Sequence, residues 1–413
     1  MNPALLKSYA ELIVKTGINP DKGQAVYLIV NLDQPEFVRT VVECCYQNGV
    51  SKVYVDWRDM PLDKLHCLYQ QESVLSQVED WELARLQWRV DRLPALIWLD
   101  SDDPDGMDGI DQGKRARAQM ARFPKIKPLR DAMENRFQWC IAGVPGKRWA
   151  AKVFPGLPPD EAEEKLWNAI LVTARACGDP QKNWQEHNRI IHQRVKKLNE
   201  LHFRFLEYKG PNGTDFKVGL IPQAHFSGGS ETDLSGRVFN PNIPSEEVFT
   251  SPMRGEAEGV LVATRPLSYH GALIEDFSLR FQEGKVVEVH AAKGQEALEK
   301  MIAMDAGAPY LGECALIGCD SPIYQSGILF YNTLFDENAS CHVALGRGFE
   351  NCIENYEKYT LDELHSMGIN DSMIHVDFMI GYEKLSITGI QSDGARVPVF
   401  RNGMWDVAFS AGD

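Results

Sequence analysis

The chain lacks any run of about 18 apolar residues, so nothing in it suggests a membrane-spanning helix. Cations are scarce beside acids: 43 Lys and Arg stand against 58 Asp and Glu, a net charge of −15. That balance argues against nucleic acid or an anionic membrane surface as a partner and suits an enzyme that concentrates cations. No C-x-x-C occurs among the nine cysteines, which are scattered and mostly lie in apolar runs such as V-V-E-C-C-Y and L-G-E-C-A-L. An odd, dispersed set excludes a disulfide framework and points to reduced thiols in a cytoplasm. No G-x-G-x-x-G and no G-x-x-x-x-G-K-[ST] is present, so a nucleotide site has no motif support. The acidic stretch S-D-D-P-D-G-M-D-G from Ser101 lacks the spacing and terminal Glu of an EF-hand and reads as a solvated loop. The opening M-N-P-A-L-L-K-S-Y-A-E is amphipathic and carries acid early, unlike a secretory leader. No repeat or low-complexity segment is evident.

What remains is ordinary globular composition, 44% hydrophobic and 24% charged over 413 residues, enough for two or three domains. Periodicity predicts a helix over 3–16, a buried strand over 24–30, a helix over 35–48 opened by Pro35 and closed by Asn48-Gly49, and a strand over 52–56. Further strands at 94–100 and 137–142, with a helix near 111–122 between them, continue the pattern. This β-α-β order predicts an open α/β domain with a parallel sheet and right-handed crossovers. From 147 to 205 the pattern is helical: one helix begins at Pro158-Pro159-Asp160 and runs through Ala176, and a long polar one covers about 181–200. His187 and His192 are five apart, a poor spacing for one helix face, and read as surface or interdomain residues. The expected division is an N-terminal α/β domain over 1–180 with a helical connector to about 202, then a β-rich domain over 203–413. Strands are expected there at 203–208, 214–220, 257–265, 273–280, 285–291, 385–390 and 397–401, with helices at 294–304 and 360–368.

The C-terminal half concentrates metal-ligand residue types. Glu247 lies in S-E-E-V-F-T with Glu246 beside it, and Glu313 lies in Y-L-G-E-C-A-L-I-G. Glu337 and His342 share F-D-E-N-A-S-C-H, and His375 and Asp377 share I-H-V-D-F-M-I-G. In Ile374–Phe378, Ile374, Val376 and Phe378 share one strand face while His375 and Asp377 share the other. Four carboxylates and two imidazoles suit two divalent ions with one carboxylate bridging. Cys314 and Cys341 neighbour these residues but alternate away from them, and read as core.

The motifs G-T-D-F-K-V-G-L (213–220), N-I-P-S-E-E-V-F-T-S-P (242–252), Y-L-G-E (310–313), F-D-E-N-A-S-C-H-V-A-L-G (335–346) and N-D-S-M-I-H-V-D-F-M-I-G (370–381) resemble the M29 family of metallo-aminopeptidases. N-P-D-K-G-Q-A-V-Y-L near the start and C-G-D-P-Q-K-N-W are similar too, so the resemblance covers essentially the whole chain. It implies an α/β N-terminal domain and a β-rich C-terminal domain carrying a two-metal site. It also implies a homodimer with the site facing an enclosed cavity, peptide substrates with a free N-terminus, and hydrolysis of the N-terminal residue. The ligands it implies are Glu247, Glu313, Glu337, His342, His375 and Asp377, with Glu313 bridging; the choice of Glu247 over Glu246 rests on this resemblance. The metals could be Zn, Co, Mn or Mg. Glu246 is the unassigned acid available to move a proton, its bland alternative being a solvated strand-end Glu; Arg254 and His225 are possible neighbours of the site. The chain departs from the family at Phe349, where the family carries a Tyr near the metals. Loss of such a donor costs about 10²–10³ in rate, unless Tyr324, Tyr331 or Tyr356 replaces it. Two rivals share these residues. One is another two-metal hydrolase, such as a phosphoesterase, which no Gly-rich loop or Arg cluster supports. The other is a family member weakened at Phe349 that binds metal and peptide without turnover.

Overall fold

The computed structural model describes residues 2–269 and 272–409. Two compact units form. One holds the chain through Trp184 together with Ser230–Pro244; the other holds Gln185–Gly229 and the chain from Ser245 onward.

The first unit is built on a parallel sheet of β1 (Ala25–Asn31), β2 (Lys52–Arg58), β3 (Ala95–Asp100) and β4 (Trp139–Gly143). The spatial order is β2-β1-β3-β4, and the two-residue strand Asn242–Ile243 adds to β4 as the fifth of the described strands. Val26 to Val30 are buried, as expected of a central strand covered on both faces. The helix Pro3–Leu12 starts where the Asn2 side chain accepts the Ala4 N–H at 2.9 Å and Pro3 pre-sets the first turn. It then widens into a π-helical stretch, Ile13–Ile18, and stops at Asn19 in the left-handed region. Tyr9, Phe37 and Trp167 form an aromatic cluster, with Tyr9–Phe37 at 5.7 Å and Phe37–Trp167 at 5.2 Å between centroids. Such pairs add about 0.5–1.5 kcal/mol each beyond area burial.

The expected helix near 111–122 extends over Gln112–Asp131 despite Pro124 and Pro128. Helices Met60–Tyr69 and Asp80–Arg92 bury no residue fully; in the second, Leu83, Leu86 and Val90 recur at helical spacing and are half-buried.

The second unit is antiparallel. Among its described residues, one sheet of nine strands runs from Leu267–Tyr269 through Ala272–Gln282, Pro252–Val262, Asp215–Leu220, Phe203–Lys209 and Ser386–Gln391 to Arg396–Arg401 and Met404–Trp405, with Lys285–Lys293 paired to Ala272–Gln282. A second sheet of four strands has the order Val248–Thr250, Leu311–Leu316, His342–Gly346, His375–Met379. Cys314, Leu316, Val343, Leu345, Val376 and Phe378 join one apolar core with Ile191, Leu198 and the inner face of the large sheet. The expected strand at 257–265 starts earlier, at Pro252, with a register shift before Ala257. The chain is thus an α/β unit with a parallel sheet and a β-rich unit.

Candidate metal centre

The four-stranded sheet brings the ligand-type residues together through register. Glu313 and Asp377 both pair with Ala344, one from each side. On the middle strand His342, Ala344 and Gly346 share a face by period-two alternation, while Val343 and Leu345 go to the core. That face carries an imidazole, then a methyl, then nothing. The missing side chain at Gly346 lies opposite His375. Gly346 also has φ +106, and a Cβ there would meet the Ile374 carbonyl oxygen at 2.0 Å, so the position admits only glycine.

Both imidazoles are oriented from behind. His375 Nδ1 lies 2.7 Å from the Arg347 carbonyl oxygen, and His342 Nδ1 lies 3.4 Å from that of Ser340. A ring nitrogen that donates to a carbonyl leaves the other nitrogen with its lone pair free, as a metal-ligating histidine requires. Those Nε2 atoms face acids. His375 Nε2 lies 3.1 Å from Glu313 Oε2 and 3.4 Å from Asp377 Oδ1. His342 Nε2 lies 3.4 Å from Glu247 Oε2 and 3.9 Å from Asp377 Oδ1. Ligand atoms of Glu247, Glu313 and His342 all lie within 4.8 Å of one another, and so do those of Glu313, His375 and Asp377. Glu313 belongs to both groups.

Burial and the close approach of these acids and imidazoles shift their proton affinities. Burial, joined by the charges of Glu247 and Asp377, pushes the Glu313 carboxyl up to about 7 against the pull of the His375 hydrogen bond. Burial and the charges of Asp377 and Glu247 raise Glu337 well above the usual carboxylate range. Burial pulls His342 down, but the Glu247 hydrogen bond and the charges of Glu313 and Asp377 outweigh it and bring the imidazole to about 10. His375 is raised well above its ordinary value by Asp377 and Glu313 against the effect of burial. Burial also works on Asp377, but the charge and hydrogen bond of His375 hold it below its usual value. A buried cluster of acids that holds protons this tightly is a site suited to divalent cations.

Glu337 begins a short 3-10 turn, Glu337–Ala339, and feels the charges of Glu247, Glu313, His342 and Asp377 without joining either close group. It lines a cavity of about 60 Å³ with Asp377, Leu267, Tyr331 and Met379. Of the three tyrosines considered, Tyr331 is the one on that wall; Tyr324 engages Glu383, and Tyr356 packs on Ile353 and its neighbours. Phe349 is half-buried, with its ring 4.9 Å from that of His375 and 5.4 Å from that of Phe249. Its backbone N–H donates to Ser251 Oγ at 2.7 Å. The aromatic position therefore does lie against a site imidazole, without a hydroxyl. Arg254 stacks over Tyr310 at 4.7 Å and is exposed, and His225 is tied to the Cys352 carbonyl through its backbone; neither joins a close acid–imidazole group.

Two sequence expectations need correction, and one residue was missed. Glu246 is not a solvated strand end: it is buried at 6% exposure, and its backbone N–H donates to Asn338 Oδ1 at 2.7 Å. Of the two readings of His187, surface or interdomain, the surface one falls: it is buried and its Nε2 lies 2.7 Å from the Ser245 carbonyl oxygen; His192, by contrast, is exposed. Asn338 received no role, yet its buried amide also donates to the Leu334 carbonyl at 2.9 Å and approaches Glu337 Oε1 at 3.5 Å. The loop bearing Glu247 precedes its strand and is held on one side by His187 and on the other by Asn338. The polar Asn338 directly follows a proposed ligand, but its role comes from a contact 92 residues away that the sequence does not show. Cys314 and Cys341 are buried in the core, as alternation predicts.

The thermophilic metalloprotease (M29) family model matches residues 3–405 of the chain. Aminopeptidase AmpS of Bacillus subtilis is 39% identical over 402 residues, covering 97% of this chain and 98% of that protein. Aminopeptidase T of Thermus thermophilus is 38% identical over 404 residues, covering 97% and 98%. The solved structure of wild-type AmpT from Thermus thermophilus aligns with a TM-score of 0.90 at 38% identity, over 98% of this chain and 99% of that one.

Proposed function

The chain belongs to the thermophilic metalloprotease (M29) family, and on that premise we propose that it is a metal-dependent aminopeptidase acting on peptides with a free N-terminus. The observation that carries this reading is the sharing of Glu313 between two groups of ligand atoms. Glu247, Glu313 and His342 would hold one divalent ion; Glu313, His375 and Asp377 would hold a second, with Glu337 completing the set. A carboxylate-rich site with two imidazoles suits Zn, Co, Mn or Mg. When bound, such a pair supplies Lewis acidity to the scissile carbonyl and lowers the pKa of water.

The chain's own residues do the rest. The carbonyls of Arg347 and Ser340 present both histidines with Nε2 inward. A substrate's free α-amine held at one end of the site, with the carboxylates around it, would restrict cutting to the first residue. Glu246, buried beside Glu247, is the acid assigned to carry a proton to the leaving amine. Phe349 favours a second reading, that turnover is weakened, because the ring against His375 has no hydroxyl to donate. The nine unpaired cysteines support a cytoplasmic setting; a homodimer is the assembly the family resemblance implies.

The test is release of the first residue from a panel of aminoacyl chromogenic substrates by metal-loaded protein, with N-acetylated versions as controls. Metal-dependent release that vanishes on N-acetylation is expected. Equal cleavage of the acetylated substrates, or release of phosphate from generic esters with no peptide cleavage, would overturn the proposal.

A further inference from the structure

The motif N-D-S-M-I-H-V-D-F-M-I-G opens on a residue to which the metal centre gives no role. Asn370 is 1% exposed. Its amide Nδ2 donates to the Gly346 carbonyl at 2.5 Å and to the Gly307 carbonyl at 2.9 Å. Among the described residues its Oδ1 meets no donor. The side chain is therefore held by its two N–H groups, and a reversed amide would set an oxygen against two carbonyl oxygens. The Asn370 backbone works on the same turn: its carbonyl accepts the Gly348 N–H at 2.8 Å. Asn370 thus grips the chain on both sides of Arg347.

Arg347 is the residue whose carbonyl orients His375. A carbonyl oxygen only accepts, so the 2.7 Å contact places a proton on Nδ1 and turns Nε2 toward Glu313 and Asp377. The Arg347 N–H donates to the Ile374 carbonyl at 2.7 Å, and the Phe349 N–H donates to Ser251 Oγ at 2.7 Å. The turn from Gly346 to Phe349 is therefore tied at successive residues. It also carries the Phe349 ring that lies against His375. Gly312, directly before Glu313, leaves room for this turn: a Cβ there would lie 2.1 Å from the Arg347 oxygen and 2.6 Å from the Gly346 oxygen. An amide donor and a missing side chain, both outside the ligand set, converge on one pair of carbonyls.

We propose that Asn370 is a positioning residue. By clamping the turn on both sides of Arg347 it fixes the carbonyl that holds His375 Nδ1, and so aims Nε2 at the ion assigned to Glu313, His375 and Asp377. His342 does not depend on this clamp, since its Nδ1 faces the Ser340 carbonyl. The clamp acts on one ion and spares the other. The identity of that ion rests on the metal-dependent reading above; the clamp on the ring does not.

The experiment follows the His375 ring proton by nuclear magnetic resonance in the chelated full chain carrying isotope-labelled histidine, the signal being identified by its loss in His375→Gln. The His187 ring, 2.7 Å from the Ser245 carbonyl, is the internal control for folding. In the parent the His375 Nδ1 proton should exchange slowly with solvent, protected while the turn stays closed. Asn370→Ala, Asn370→Asp and, independently, Gly312→Ala should each speed that exchange about 10-fold or more, the scale of one lost hydrogen bond, with the His187 proton unchanged. The chelated parent and Asn370 variants are then titrated calorimetrically with Co. The variants should lose affinity about 10- to 100-fold at one ion, as loss of the support behind a ligating histidine does, and keep the other. A His375 ring proton that exchanges freely in the folded parent, or as slowly in the Asn370 variants as in the parent, overturns the proposal. Equal weakening of both ions overturns it too. A parent that binds no metal fails the metal reading alone, and faster ring exchange in the variants still establishes the clamp.

Discussion

Glu313 and Asp377 stand on either side of Ala344 in one row of the four-stranded sheet, and only a methyl group separates the strands they come from on that face. Ala344 is fully buried. Its size therefore sets how closely the two acids approach. Ala344→Val should force them apart, destabilise the protein by about 1–3 kcal/mol as overpacked cores do, and reduce kcat/KM about 100-fold. Melting temperature and steady-state kinetics on one preparation separate the two effects. A variant with full activity would show that the row does not set the site's geometry.

Asn338 ties the Glu246 backbone to the turn that carries Glu337. Asn338→Ala should lower metal affinity about 10- to 100-fold, as loss of a ligand-orienting partner does, with the weakened ion being the one assigned to Glu247. Titration of metal into chelated protein reads this directly. Equal weakening of both ions would mark Asn338 as a general folding residue.

The Phe349 ring lies 4.9 Å from that of His375, between centroids. Phe349→Tyr should raise kcat by up to about 10²–10³ if the missing donor limits the present rate. Unchanged kcat would show that the phenyl ring is compatible with full chemistry and would dispose of the weakened-enzyme reading.

The proton affinities predict opposite pH responses with and without metal. In the metal-free protein His342 sits near 10, against about 6.5 unfolded. The folded state thus binds more protons over that interval, and stability falls as pH rises through it. Glu313, near 7 when folded and about 4.3 unfolded, has the same sign over its own lower window. Metal requires these groups deprotonated, so its affinity grows with pH. The melting-temperature gap between metal-loaded and chelated protein should therefore widen from pH 6 to pH 9. A constant or narrowing gap would contradict the assignment of these residues to the metal.

Much of this was legible in the chain itself. The parallel strands announced themselves as short apolar runs, and His375 and Asp377 followed from alternation with Ile374, Val376 and Phe378. Other features had no local signal. Asn242–Ile243 is too short for any periodicity, yet it completes the parallel sheet. The helix Asp80–Arg92, by contrast, had a signal that went unread: Leu83, Leu86 and Val90 recur at helical spacing and are half-buried. The roles of His187 and Asn338 come from contacts 58 and 92 residues away, which residue spacing cannot show. The graded face of His342, Ala344 and Gly346 was present in the sequence, but its meaning depends on register with two other strands.

The most direct measurement is metal content. Chelated protein is reloaded with Co, Zn, Mn or Mg singly, freed of excess metal, and analysed by elemental mass spectrometry beside Glu313→Gln prepared the same way. The account predicts two ions per chain for the parent with at least one of these metals, and a loss at both positions for Glu313→Gln, because this carboxylate belongs to both ligand groups. Two ions retained in Glu313→Gln, or none in the parent with any metal, would contradict it.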